Sequence, residues 1–357
     1  MHATSQGFGA PIGVTRPATL MSAADFGFDF EQFSSEGAWA FCRFADSDIE
    51  AARIGFQCGA FDLSAAGPAP DRNFLQLHLE VLTREGAYLW LPSGRYSSEQ
   101  VQREPGALHL SLGAAGQEIF SYRGWPTIEC RMCSDDALLQ AELKFRLQST
   151  TVLPDGILPQ CVFCMWESMG VVEGTIRHDQ RSVPVRGTVF FDHTRIIRRR
   201  SDAPTRAMSL YTTLAFDQGG GLFGYWAVDE AGAPIRDYCF AVYLDAGGGG
   251  RLLTDVTLSQ LLLDEDGIAR SWQLELRDRD LALSVRLAAR EHLIRRCWGA
   301  AHAPTRRADY SIIPLVLDGS AELRRGSHRT RLRGSGLAEY HDARRWRANS
   351  QAARASG

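Results

Sequence analysis

The chain alternates apolar and polar positions in long rows. Leu75, Leu77, Leu79 and Val81 are separated by single residues, as are Leu108, Leu110 and Leu112, and then Ala141, Leu143, Phe145 and Leu147. Later Trp272, Leu274 and Leu276 repeat the pattern, and an Asp278-Arg279-Asp280 turn leads into Leu281, Leu283, Val285 and Leu287. Side chains on a strand point to opposite faces in turn, so such rows predict strands with one buried and one wet face. A helical period is not sustained anywhere for long.

Turn signals break the rows at short intervals: Arg84-Glu85-Gly86, Gly113 to Gly116, Gly219 to Gly221, Gly247 to Gly250 and Asp264 to Gly267. Many short strands joined by Gly-rich turns predict an all-β antiparallel protein built of barrels or barrel-like sandwiches, and barrels also remove exposed edges. A length of 357 residues is enough for two cores. The expected division is an N-terminal extension over 1–20, a first β domain over 21–200, a second over 201–345 packed beside it, and a polar tail over 346–357. The boundary is placed in the basic stretch and the Ser-Asp-Ala-Pro-Thr that follows, near 195–206, with a long loop over 148–160.

An internal repeat supports two related halves. Gly174-Thr175 opens a hairpin that ends in Val185-Arg186-Gly187-Thr188, and Gly319-Ser320 opens one that ends in Leu332-Arg333-Gly334-Ser335. Five residues beyond the second Gly stand Asp192 and Glu339. By parity Thr188, Phe190 and Asp192 share one face, and Ser335, Leu337 and Glu339 share another.

Composition narrows the function. The net charge of −3 and the single lysine, Lys144, leave no basic excess for nucleic acid, and the run over 195–200 reads as a charged linker. No apolar run reaches the roughly 18 residues of a membrane helix. The first twenty residues lack a secretory signal, so the expected location is cytoplasmic. Eight cysteines include two Cys-x-x-Cys pairs, Cys130 with Cys133 and Cys161 with Cys164. Both pairs fall in strand-like sequence, where positions i and i+3 point apart, so buried reduced thiols are expected rather than zinc. Walker A, HExxH and Gly-x-Ser-x-Gly patterns are absent from the sequence.

Four segments carry candidate chemistry. Phe190-Phe191-Asp192-His193 ends a strand, where partial burial would ready Asp192 as an acid; a turn cap or an ion pair with Arg195 is the structural alternative. Met165-Trp166-Glu167 sets an aromatic face for cationic character beside a second proton-exchanging group, or Trp166 simply fills the core. Glu339 and Tyr340 form the matching pair in the second half. Tyr225, Trp226, Tyr238 and Phe240 sit among a dense set of aromatics that either packs a core or lines an apolar pocket.

The block from Gly174 to Arg195, with its hairpin, Arg-Gly and Asp-His, resembles the two-domain lipocalin-like proteins that include carotenoid 1,2-hydratase, AttH-like proteins and related Diels–Alderases. The closing Arg333-Gly334-Ser335-Gly336-Leu337-Ala338-Glu339 resembles them too. Where that family continues Asp-His-x-Trp-Gly, this chain reads Asp192-His193-Thr194-Arg195-Ile196. The resemblance implies two lipocalin-like β domains with a mostly apolar pocket for a polyene, terpenoid or polyketide. It implies Asp192 as proton donor to a double bond; beside that, His193 is expected to orient Asp192 or relay its proton, Trp166 to shield cationic character and Glu167 to exchange a proton. Hydration, isomerisation or cyclisation without cofactor or metal is then expected, with Tyr225, Trp226, Tyr238, Phe240, Glu339 and Tyr340 holding the hydrophobic substrate. A pericyclase acting by shape, a non-catalytic carrier, and a structural or regulatory β protein whose barrels are filled by their own side chains remain the alternatives.

Overall fold

A computed structural model of the chain describes residues 15–18, 35–59, 74–86, 88–91, 95–97, 100–103, 109–114, 117–134, 138–153, 161–178, 180–199, 207–265, 267–290 and 312–342. These residues form two compact units, one within 15–199 and one within 207–342.

The first unit holds β1 (Thr15–Pro17), β2 (Ser35–Ala45), β3 (Ile49–Gly59), β4 (Phe74–Thr83), β5 (Tyr88–Leu91), β6 (Arg95–Ser97) and β7 (Val101–Arg103). It continues with β8 (His109–Ala114), β9 (Gln117–Arg123), β10 (Thr127–Cys133), β11 (Leu139–Leu153), β12 (Cys161–His178) and β13 (Arg181–Arg199). Its sheet runs β5-β4-β3-β2-β13-β12-β11-β10-β9-β8-β7, with β1 on β11 and β6 on β4. All pairs are antiparallel, and the last strand closes onto β2.

The second unit holds β14 (Met208–Phe216), β15 (Gly221–Val228), β16 (Phe240–Leu244), β17 (Gly250–Leu253), β18 (Asp255–Leu263), β19 (Ala269–Arg277), β20 (Leu281–Ala289), β21 (Ile312–Arg325) and β22 (His328–Asp342). Its order, β17-β16-β15-β14-β22-β21-β20-β19-β18, repeats the plan, with the last strand closing onto the first. Neighbours in sequence are neighbours in space except at that closure, which is the connectivity of a lipocalin-like curled meander. In the second sheet the curl brings β15 and β16 against β18.

Each sheet buries one face in a core of its own. Alternate residues such as Leu77, Phe56, Phe120, Phe145, Val172, Val189 and Phe191 fill the first, and Leu214, Leu222, Trp272, Leu283, Leu317 and Tyr340 fill the second. Burying a side chain of this size contributes about 1.5–3 kcal/mol.

The repeat is visible in the register. Gly187 pairs with Phe44 on β2, and Gly334 pairs with Phe216 on β14. Asp192 and Glu339 therefore occupy equivalent places, opposite Trp39 and Tyr211. The glycines that open the hairpins do not correspond: Gly174 stands opposite Val185, whereas Gly319 stands opposite Gly334, two residues out of step.

Two expectations are corrected. The stretch expected as a loop over 148–160 is strand as far as Leu153, because a bulge between Leu147 and Ser149 lets β11 continue with its faces exchanged. The basic run is no linker up to Arg199: its backbone belongs to β13 and pairs with β12, Arg199 opposite Cys161.

Candidate active site

The hairpin of β12 and β13 changes character along its length. Near the turn it is amphipathic, with Arg177, Arg181 and Arg186 exposed. At the far end Glu167, Ser168, Phe190, Phe191, Asp192 and His193 are all buried, so both faces of the sheet are covered there. Polar groups placed there are shielded from water and act on one another strongly.

The inner face of β13 carries Val189 and Phe191, which belong to the core. Asp192 lies on the opposite face with Phe190, and in the second sheet Glu339 lies opposite the core face that holds Ala338 and Tyr340. The carboxylates therefore do not point into the barrels.

One cross-strand row joins the candidates on the outer face of the first sheet. It runs from Thr151 on β11 through Glu167 and Asp192 to Trp39, Gly55 and His78. Glu167 is 1% exposed, Asp192 8% and Thr151 0%. Residues directly opposite in an antiparallel pair have Cβ atoms roughly 4.5–5.5 Å apart, so the two carboxyl groups are neighbours. The Thr194 hydroxyl donates to Asp192 Oδ1 at 3.0 Å.

Trp39 lies flat across Gly55, where a Cβ would fall 2.1 Å from its ring, and reaches His78 at 4.8 Å between ring centres. The Arg53 guanidinium sits 4.1 Å from the Trp39 ring centre and pairs with Glu80 at 3.0 Å. The Arg53–Glu80 pair, stacked on the indole through its guanidinium, thus borders this row with a fixed ion pair.

The inner face of the same end is polar too. His193 is fully buried, and Thr150 and Ser168 share a 2.9 Å hydrogen bond. The bulge in β11 turns Thr150 inward and Thr151 outward, so one threonine serves each face. Trp166 pairs in register with His193, and its side chain lies outside the described residues. His193 thus stands back to back with Asp192 rather than beside it.

In the second sheet the equivalent row is Pro314, Glu339, Tyr211, Tyr225 and Phe240. Tyr225 stacks on Phe240 at 6.1 Å, approaches Tyr238 at 5.6 Å and Tyr211 at 6.2 Å, and its hydroxyl donates to Ser209. Glu339, Tyr225, Tyr238 and Phe240 are therefore brought together. Trp226 and Tyr340 are not: they belong to the core face, where the Tyr340 hydroxyl donates to the Gly267 carbonyl at 3.1 Å. The two rows differ at one decisive place. Asp192 has a second carboxylate beside it, and Glu339 has Pro314.

Cys130 and Cys133 are buried free thiols. Burial pushes the Cys130 thiol up to about 12 and Cys42 well above its ordinary range, the latter helped by nearby Cys130. The side chains of Cys161 and Cys164 lie outside the described residues. Among the described residues no group of three or more His, Cys, Asp or Glu is arranged to hold a metal ion. No described helix is long and apolar enough to cross a membrane.

Sequence reading missed Trp39, His78 and Thr151 as members of the row, and Arg53, Glu80 and Thr194 as the side chains that border it. The available signal was Gly55 within an apolar strand, which marks a close approach by a neighbour.

Fold and register define a two-domain, lipocalin-like β protein. No protein-family model matches the chain, and no curated protein matches it. Solved structures do share the fold. A protein provisionally described as AttH from Nitrosomonas europaea superposes with a TM-score of 0.60 at 14% identity, over 89% of this chain and 94% of that one. Kievitone hydratase from Nectria haematococca superposes at 0.50 with 9% identity, over 93% and 98%. CghA in complex with Sch210972 superposes at 0.50 with 11% identity, over 87% and 88%.

Proposed function

We propose that the protein is a cofactor-independent enzyme that transfers a proton to an apolar, unsaturated small molecule, a terpenoid, polyene or polyketide, giving hydration, isomerisation or cyclisation. The observation that carries this reading is the side-by-side burial of Asp192 and Glu167. Two carboxyl groups held side by side away from water disfavour double ionisation, which favours a pair that shares one proton. Such a proton next to a carboxylate base suits both halves of a hydration: Asp192 protonates the double bond, and Glu167 takes a proton from the water that adds. In an isomerisation the same base removes a different proton from the cation.

Thr194 holds Asp192 by its Oδ1, which fixes the direction of the carboxyl group. His193, on the opposite face, acts as a positioning residue for the strand and not as the donor. The neighbours in fold include a hydratase, which supports the reaction class.

The test is incubation of the full chain with a panel of terpenoids, polyenes and polyketides in deuterium oxide, followed by mass spectrometry. Hydration adds one water and carbon-bound deuterium; isomerisation or cyclisation leaves composition unchanged apart from exchanged deuterium. A rearranged product without deuterium, or products formed equally by Asp192→Asn, would remove the acid role.

A further inference from the structure

The second sheet turns a different surface outward along β19 to β22. Its outer residues form three cross-strand rows. The first is Gln273, Arg286, Ser320 and Arg333; the second is Glu275, Ser284, Glu322 and Arg331; the third is Arg277, Ala282, Arg324 and Arg329. Six arginines thus face two glutamates, in a chain whose overall charge is negative. The surface is concave, enclosing a recess of about 880 Å³, continuous through Gln273, Arg286, Ser320 and Arg333 with a second of about 460 Å³. That is the size of a small-molecule site.

The side chains divide into a floor and cationic walls. Ala282, Ser284 and Ser320 are short and leave the middle open. Glu275 is occupied by Ser284, at 2.8 Å, and by Gln273, at 2.7 Å. Glu322 is held by Arg324 at 2.7 Å and lies 3.8 Å from Arg329, and these arginines with Arg331 keep its carboxyl below the usual range. Both acids are therefore already satisfied by their own neighbours. Arg277, Arg331 and Arg333 form no ion pair with any described residue, and all three border the recess.

We propose that this recess is a binding site for a compact polyanion carrying at least two phosphate or carboxylate groups. Guanidinium groups present a planar fork of donors that matches either group, and paired charge-assisted bonds are among the strongest polar contacts available. Arg331 and Arg333 are two residues apart on one strand face, a spacing of about 7 Å, which separates the anionic groups they take. Ser284 and Ser320 supply neutral hydroxyls between them. The site is independent of the Asp192 row, which lies in the other unit.

Titration calorimetry of the full chain with inorganic tripolyphosphate and, separately, with citrate tests the assignment and distinguishes the two anion chemistries. Saturable binding of at least one is expected, weakened at least about tenfold by the double substitution Arg331→Gln/Arg333→Gln. The charge-matched pair Arg123→Gln/Arg146→Gln, on the first sheet, is expected to bind like wild type. Circular dichroism confirms that each variant is folded. Failure of wild type to bind either anion saturably overturns the proposal, and so does equal weakening in the two double variants.

Discussion

Gly187 and Gly334 are one position used twice. Each lies on the strand that closes its sheet, and a Cβ there would stand 1.8 Å from the Arg43 carbonyl oxygen or 2.1 Å from that of Ala215. Relieving either overlap means moving the backbone, the costly kind of overpacking, at about 1–3 kcal/mol. Gly187→Ala and Gly334→Ala are each expected to lower the urea midpoint by a corresponding amount. A variant of either with wild-type stability would show that the strands are less close than described.

Asp192 and Glu167 are expected to behave as a unit in catalysis. Asp192→Asn and Glu167→Gln should each lower kcat by about 10²–10⁴, and the double variant should lose little more than the worse single one. Neither substitution removes packing volume, so urea midpoints at neutral pH should stay close to wild type. A parallel loss of stability and rate in both variants would point to a structural role for the pair.

The sequence made the repeat legible at one end and not the other. Arg-Gly followed by a carboxylate five residues on is a true structural equivalence, because the closing strand meets the first strand in the same register in both sheets. The opening glycines mislead because they serve different approaches: a Cβ at Gly174 would meet the Glu142 carbonyl, and one at Gly319 would meet the Leu214 side chain. Parity placed Asp192 with Phe190 and Thr188 correctly but left open which face is inner. Phe190 and Phe191 are each 2% exposed, so hydrophobicity does not separate the faces at a doubly buried strand end. The pairing of Glu167 with Asp192 depends on the register of two long strands, and a bulge hid the strand that brings Thr151 to the same row.

Arg53 and Glu80 form an ion pair whose side chains are 8% and 12% exposed, with Arg53 also against Trp39. Removing one partner leaves a charge in a poorly solvated place, which typically costs about 3–5 kcal/mol, whereas replacing both with apolar groups is often neutral. Arg53→Leu and Glu80→Leu are expected to destabilise strongly when made singly, and the double variant to regain most of the loss. Urea denaturation of the four proteins gives the coupling. Additive losses would mean that the pair contributes little beyond packing.

Cys130 offers a readout of the first core by pH. Its thiol is pushed up from 9.0 to about 12 because burial disfavours the thiolate, so the folded protein holds this proton more tightly than the unfolded chain does. The associated stability is complete below pH 9 and is lost as pH rises towards 12, at about 1.4 kcal/mol per pH unit inside that window. Cys130→Ala removes the titration while leaving tyrosines and arginines in place. Its stability should therefore fall less steeply than that of wild type between pH 9 and 11, by about one proton's worth of slope. Cys42 is raised in the same direction and remains in the variant, so a residual slope is expected until both are replaced. Identical slopes in wild type and Cys130→Ala would mean that water reaches this thiol, and that the core between β2 and β10 is looser than its burial indicates.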